Sequence, residues 1–159
     1  MTHWKLFKSK ACSVRLKAAD KPSALAELVD NLIEGECLAA GLREQALDAL
    51  REREASGSTG VGMNVAIPHV KLKNLERVAC SVSVHPGGIE WQAIDGAPVQ
   101  IVFTVLRPEK GGEHHDPDRH LELMRWISRL ARDGDFRRFA LQVKTKAALV
   151  DLLKEKSAV

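Results

Sequence analysis

Residues Val99 to Leu106 read VQIVFTVL, a near-continuous apolar run of strand length. A strand that is apolar on both sides of its pleat must be covered on both faces, so this run is read as a central, doubly buried strand. A second strand is expected where Val78, Cys80, Val82 and Val84 alternate with Ala79, Ser81 and Ser83; this period-two pattern fits a half-buried strand. Shorter strands are expected at Ser13 to Leu16 and around Val65 to Ile67. Between these runs the spacing turns helical. Leu25, Leu28, Val29, Leu32 and Ile33 follow Asp20 as N-cap and Pro22 in the first turn, and Gly35 is the expected stop. Further helices are expected over Leu42 to Arg53, around Leu121 to Ala131, over Asp135 to Leu141, and after a Thr145 cap with Leu149, Leu152 and Leu153 inward. Helices alternate with strands and no repeat of roughly 20 to 50 residues recurs, so the fold class is α/β.

The 159 residues suit one domain. We expect that domain over 12–154, with an N-terminal extension at 1–11 and a C-terminal tail at 155–159. An apolar fraction of 45% excludes disorder as the main state. No stretch approaches the roughly 18 uncharged apolar residues of a membrane span, and the basic N-terminus lacks the apolar core of a signal peptide. A net charge of +3, no Tyr, and only seven Phe and Trp argue against nucleic acid as a partner. Cys12, Cys37 and Cys80 are widely spaced and odd in number, which implies reduced thiols and a cytoplasmic location.

Three patterns carry chemistry. The loop Ser56-Gly57-Ser58-Thr59-Gly60-Val61-Gly62 could offer backbone N–H groups to an anion. It follows a helix and lacks a Lys after its glycines, so it is not a nucleotide loop. Glu113, His114, His115, Asp116, Asp118 and His120 crowd into eight residues of zinc-ligand chemistry. They sit in a Pro/Gly loop without H-E-x-x-H, and no metal is assigned to them. The third pattern is His69, fixed behind Pro68 at the exit of a short strand just after the glycine loop. A histidine can itself be a nucleophile, and an ordinary imidazole pKa of about 6.5 leaves it mostly neutral at neutral pH.

The run from Arg53-Glu54 through Ser58-Thr59-Gly60-Val61-Gly62 to Ala66-Ile67-Pro68-His69 resembles the signature of the enzyme IIA domains of the sugar phosphotransferase system, fructose/mannitol type, which includes nitrogen-regulatory IIA proteins. Gly88-Ile89-Glu90-Trp91, Asp95-Gly96, Pro98-Val99 and His120-Leu121 follow in matching order, so the resemblance spans about Cys12 to Leu153.

This resemblance implies a compact α/β sandwich, a mixed sheet with helices on both faces. It implies that His69 is phosphorylated by the phosphohistidine of a small carrier protein, with His120 beside the phosphate and Arg53 supplying charge to its oxygens. Ser58 and Thr59 lie where the family's loop approaches the site, so they are candidate phosphate donors. No cofactor or metal is implied. The next acceptor would be a IIB domain or, in the regulatory alternative suggested by the lack of an attached transport domain, a target protein switched by phosphorylation. Val70 stands where many relatives carry Gly or Ala, His85 adds a second histidine, and the 107–118 loop is long and charged. Spacing leaves open whether Arg51 or Arg53 faces the site. Trp91 is read as a packing residue.

Overall fold

The computed structural model describes residues 2–109 and 117–157. Its five strands are β1 (Gly60–Gly62), β2 (Val65–Ala66), β3 (His69–Leu72), β4 (Ala79–Ile89) and β5 (Val99–Pro108). Its α-helices are α1 (Lys21–Glu34), α2 (Arg43–Ser56), α3 (Pro117–Arg132), α4 (Gly134–Ala140) and α5 (Lys146–Ser157).

The VQIVFTVL run is the axis of the sheet. β5 pairs antiparallel with β4 on one side, and parallel with β2 and then β3 on the other. β1 folds back antiparallel on β2. The sheet is therefore mixed, as the resemblance implied. Alternate residues of β5 serve different cores. Ile101, Phe103 and Val105 join Trp126, Ile127, Phe136 and Leu149 of α3 to α5, while Val102 and Leu106 join Leu25, Leu28, Leu47 and Leu50 of α1 and α2. Each fully buried side chain of this size contributes about 1.5–3 kcal/mol. Two helical layers are thus needed because one strand presents two apolar faces.

Local signals act as read. Asp20 accepts a hydrogen bond from Ser23 N at 2.8 Å and so caps α1, and Gly35 ends that helix. Thr145 Oγ1 caps α5 through Ala148 N at 3.0 Å. Asp95-Gly96 is a turn, with Ala97 N donating to Asp95 Oδ1.

Four features differ from the sequence expectations. Ser81 and Ser83 are fully buried, so β4 is covered on both faces; their small hydroxyl side chains let α1 approach. Ser13 to Leu16 forms bridges to β4 rather than a strand of its own, with Leu16 N donating to Val84 O at 2.8 Å. The chain does not leave the sheet after Ile67. Pro68 interrupts the ladder and β3 resumes beside β5 at His69. The segment read as an extension carries two 3-10 turns, and its Phe7 is 1% exposed, edge-on to Phe103 at 6.3 Å and bridged to Cys80.

Candidate functional site

The glycine loop is a hairpin with a fixed shape. Met63 and Asn64 both have positive φ, 57° and 65°, the pattern of a tight turn whose twist matches its flanking strands. The turn is pinned by Met63 N donating to Asp95 Oδ2 at 3.0 Å and Asn64 Nδ2 donating to Pro98 O at 2.8 Å. Gly60 has no room for a side chain, because a Cβ there would lie 2.7 Å from Ala93 Cβ.

The neighbours Arg53 and Glu54 at the end of α2 point different ways, as successive helical residues must. Glu54 faces the loop. Its Oε1 accepts from Thr59 N and from Lys21 Nζ, each at 3.1 Å, and its Oε2 accepts from the Thr59 hydroxyl. Thr59 Oγ1 in turn accepts from the indole N–H of Trp91 at 3.1 Å. Lys21 lies 5.5 Å from the Trp91 ring centroid. The Glu54 side chain is only 5% exposed, so this is a buried, fully partnered carboxylate. It locks α1, α2, the loop and the segment after β4 together.

Arg53 faces the other way, into a cleft of about 510 Å³ lined by Ala49, Glu52, Arg53, His69, Val70, Lys71, Arg107 and His120. Its Nη1 also donates to Gly57 O at 2.6 Å. The cleft wraps the sheet margin at β3. One wall is α2, another is the strand pair β3–β5, and His120 enters from the first turn of α3. That helix end carries a partial positive charge suited to an anion.

His69 is held by its own backbone. Ile67 N donates to Thr59 O and Val105 N donates to Pro68 O, each at 3.0 Å, so residues 67–68 are tied on both sides. The Nδ1 of His69 lies 2.7 Å from Ile67 O. A carbonyl only accepts, so the proton is on Nδ1. Nε2 then carries the lone pair, with no hydrogen-bond partner among the described residues.

The structure thus brings His69, His120 and Arg53 to one cleft. Arg51 is exposed and does not line it. Ser58 and Thr59 do not line it either. Ser58 Oγ donates to Trp91 O at 2.7 Å and Thr59 Oγ1 donates to Glu54, so the single hydroxyl proton of each is committed away from the cleft. Their observed work is to fix the loop. Trp91 is fully buried, consistent with a packing role. His85 is half-buried, with Nε2 at 2.8 Å from Ala18 O. Of the possible metal ligands, Glu113 to Asp116 lie outside the described residues; the described residues contain no group of three suited to a metal.

Lys71 and Arg107 were missed in the sequence. The sequence carried no signal for them, because β3 is a strand only through its pairing with β5, and Arg107 was expected at the start of a polar loop.

Residues 5–156 match the family model described as phosphoenolpyruvate-dependent sugar phosphotransferase system, EIIA 2. The chain is 34% identical over 113 residues to the fructose-specific EIIA component of Haloferax volcanii, covering 71% of this chain and 70% of that protein. It is 38% identical over 121 residues to the nitrogen regulatory protein of Bradyrhizobium diazoefficiens, covering 76% and 73%. The crystal structure of nitrogen regulatory protein IIA-Ntr from Neisseria meningitidis superposes with a TM-score of 0.79 at 23% identity, covering 94% of this chain and 97% of that one. The match over residues 5–156 shows that the chain is a member of the phosphoenolpyruvate-dependent sugar phosphotransferase system EIIA 2 family.

Proposed function

We propose that this chain carries a phosphoryl group on Nε2 of His69. The donor is the phosphohistidine of a small carrier protein, met in the cytoplasm. The Nε2 lone pair attacks phosphorus in line, the donor's N–P bond breaks, and its electron pair returns to the donor imidazole. The His69 ring gains positive charge while its proton stays on Nδ1, which donates to the Ile67 carbonyl in a hydrogen bond that strengthens as the charge develops. Bond made and bond broken are alike, so positioning and charge stabilisation are the protein's main contribution. Arg53 neutralises phosphoryl oxygens, and His120 hydrogen-bonds the group from α3.

The observation that carries this reading is the tautomer of His69, set by Ile67, inside a cleft shared with Arg53 and His120. To test it, the chain is incubated with phosphoenolpyruvate, enzyme I and the phosphocarrier protein. Acid-labile, base-stable phosphate is expected on the wild type and none on His69→Ala. An unlabelled wild type, or equal labelling of the variant, overturns the assignment.

The next step is transfer to a IIB domain or use of the phosphorylation state as a signal. The 38% identity to a nitrogen regulatory protein supports the second. Pull-downs with unmodified protein and with a His69→Asp mimic separate the two, since a regulator changes its partner set between them and a simple carrier does not.

A further inference from the structure

The cleft holds more positive charge than Arg53 alone supplies. Lys71 on β3 and Arg107 on β5 are direct partners in the parallel ladder, and both line the cleft. In-register residues on adjacent strands lie about 5 Å apart and project on one face. His69, two residues before Lys71, shares that face. Like charges set across a strand pair repel each other. Among the described residues no carboxylate pairs with either cation. Among the described residues that line the cleft the one acid is Glu52, on the α2 wall, beside the three cations Arg53, Lys71 and Arg107. The resulting excess of positive charge matches a phosphoryl group, which carries about −1.5 to −2 near neutral pH.

Resting on the assignment of His69 above, we propose that Arg107, reinforced by Lys71, is a further phosphoryl-binding residue. Its guanidinium takes phosphoryl oxygens from the β5 side of the cleft while Arg53 takes them from the α2 side. A planar fork of N–H donors suits phosphate oxygens, and Arg107 is half-buried, so its charge is less screened than a surface charge. Lys71 contributes a point charge. An anion between the two relieves their mutual repulsion, which makes the loaded cleft electrostatically better than the empty one.

The test compares full-length wild type, Arg107→Gln, Arg107→Lys and Lys71→Gln. Loss of one charge-assisted contact is expected to lower kcat/KM for loading from the phosphocarrier protein about ten- to a hundred-fold in Arg107→Gln, with only partial recovery in Arg107→Lys, which restores the charge but not the fork. A second readout is the ³¹P shift of the phosphorylated chain followed from neutral to mildly alkaline pH. A neighbouring cation favours the dianion, so the phosphoryl titration midpoint should rise by about one unit in Arg107→Gln. A merely structural role would not move that midpoint. Should Arg107→Gln fail to fold, Lys71→Gln gives the same readouts at the same cleft. Loading at the wild-type rate with an unmoved ³¹P midpoint overturns the role of Arg107. Label persisting on His69→Ala overturns the assignment of His69 instead, so the two failures are distinct.

Discussion

The Nδ1–H of His69 donates to the carbonyl oxygen of Ile67 across 2.7 Å. The backbone two residues away thus decides which ring nitrogen keeps its lone pair. Phosphate is expected on Nε2 alone. Long-range ¹H–¹⁵N correlation spectra of the phosphorylated chain distinguish the two isomers, and a phosphate found on Nδ1 defeats the tautomer argument.

His120 reaches the cleft from the first turn of α3 and is half-buried there. Replacing it with Ala should slow loading about ten- to a hundred-fold through loss of one hydrogen bond to a charged group, with the label still on His69. Rapid-quench labelling measures this, and an unchanged rate removes His120 from the phosphoryl contacts.

Thr59 serves two buried partners, Glu54 and Trp91. Thr59→Val leaves a carboxylate oxygen and an indole N–H without it, at a cost of about 2–4 kcal/mol. Thr59→Ser keeps both bonds and should cost less than ~1 kcal/mol. Urea midpoints for the two variants provide the check; a Thr59→Val midpoint at the wild-type value would mean that the two bonds of the hydroxyl contribute nothing.

Asp133 is hydrogen-bonded by Lys156 of α5 and by Phe136 N of α4, and these partners hold its carboxyl below the usual range. Because the folded value is depressed, its stabilisation is present above the unfolded value of about 3.9 and is lost as pH falls through the lower folded value. Asp133→Asn should therefore destabilise the protein at neutral pH, and the gap from wild type should narrow below about pH 4. A gap that stays constant with pH refutes this. The expected measurement is a series of urea transitions across that range.

Burial pushes the Cys12 thiol up to about 11 and raises Cys80 as well, while Cys37 is only half-buried. In the folded chain a thiol reagent at neutral pH should modify Cys37 well ahead of the other two, and unfolding should release all three. Mass spectrometry of the native and unfolded reactions reads the order; early modification of Cys12 or Cys80 counts against the described packing.

The parts legible in the sequence are those whose cause is local or periodic. The α1 boundaries follow from Asp20, Pro22 and Gly35, and the doubly buried β5 from an unbroken apolar run. Arg53, His69 and His120, which the sequence offers as an ordered motif, line one cleft. Other features depended on partners distant in the chain. β3 is four residues long, includes Lys71, and is a strand only because β5 offers it a ladder. Ser81 and Ser83 look solvent-facing by pattern, yet α1 covers them. The hydroxyls of Ser58 and Thr59 were expected to reach the phosphate, but Trp91 and Glu54, separated from them in different ways along the chain, claim both. Lys71 and Arg107 become one unit only when the strand register is known.

The His69 ring, the proposed phosphoryl acceptor, lies on β3, which among the described residues pairs with β5 alone and so borders the sheet. In the proposed carrier role, giver and receiver must approach the same nitrogen at the same margin, and neither needs the interior to open. They are therefore served in turn, like callers at a single counter, and each molecule holds at most one parcel between visits.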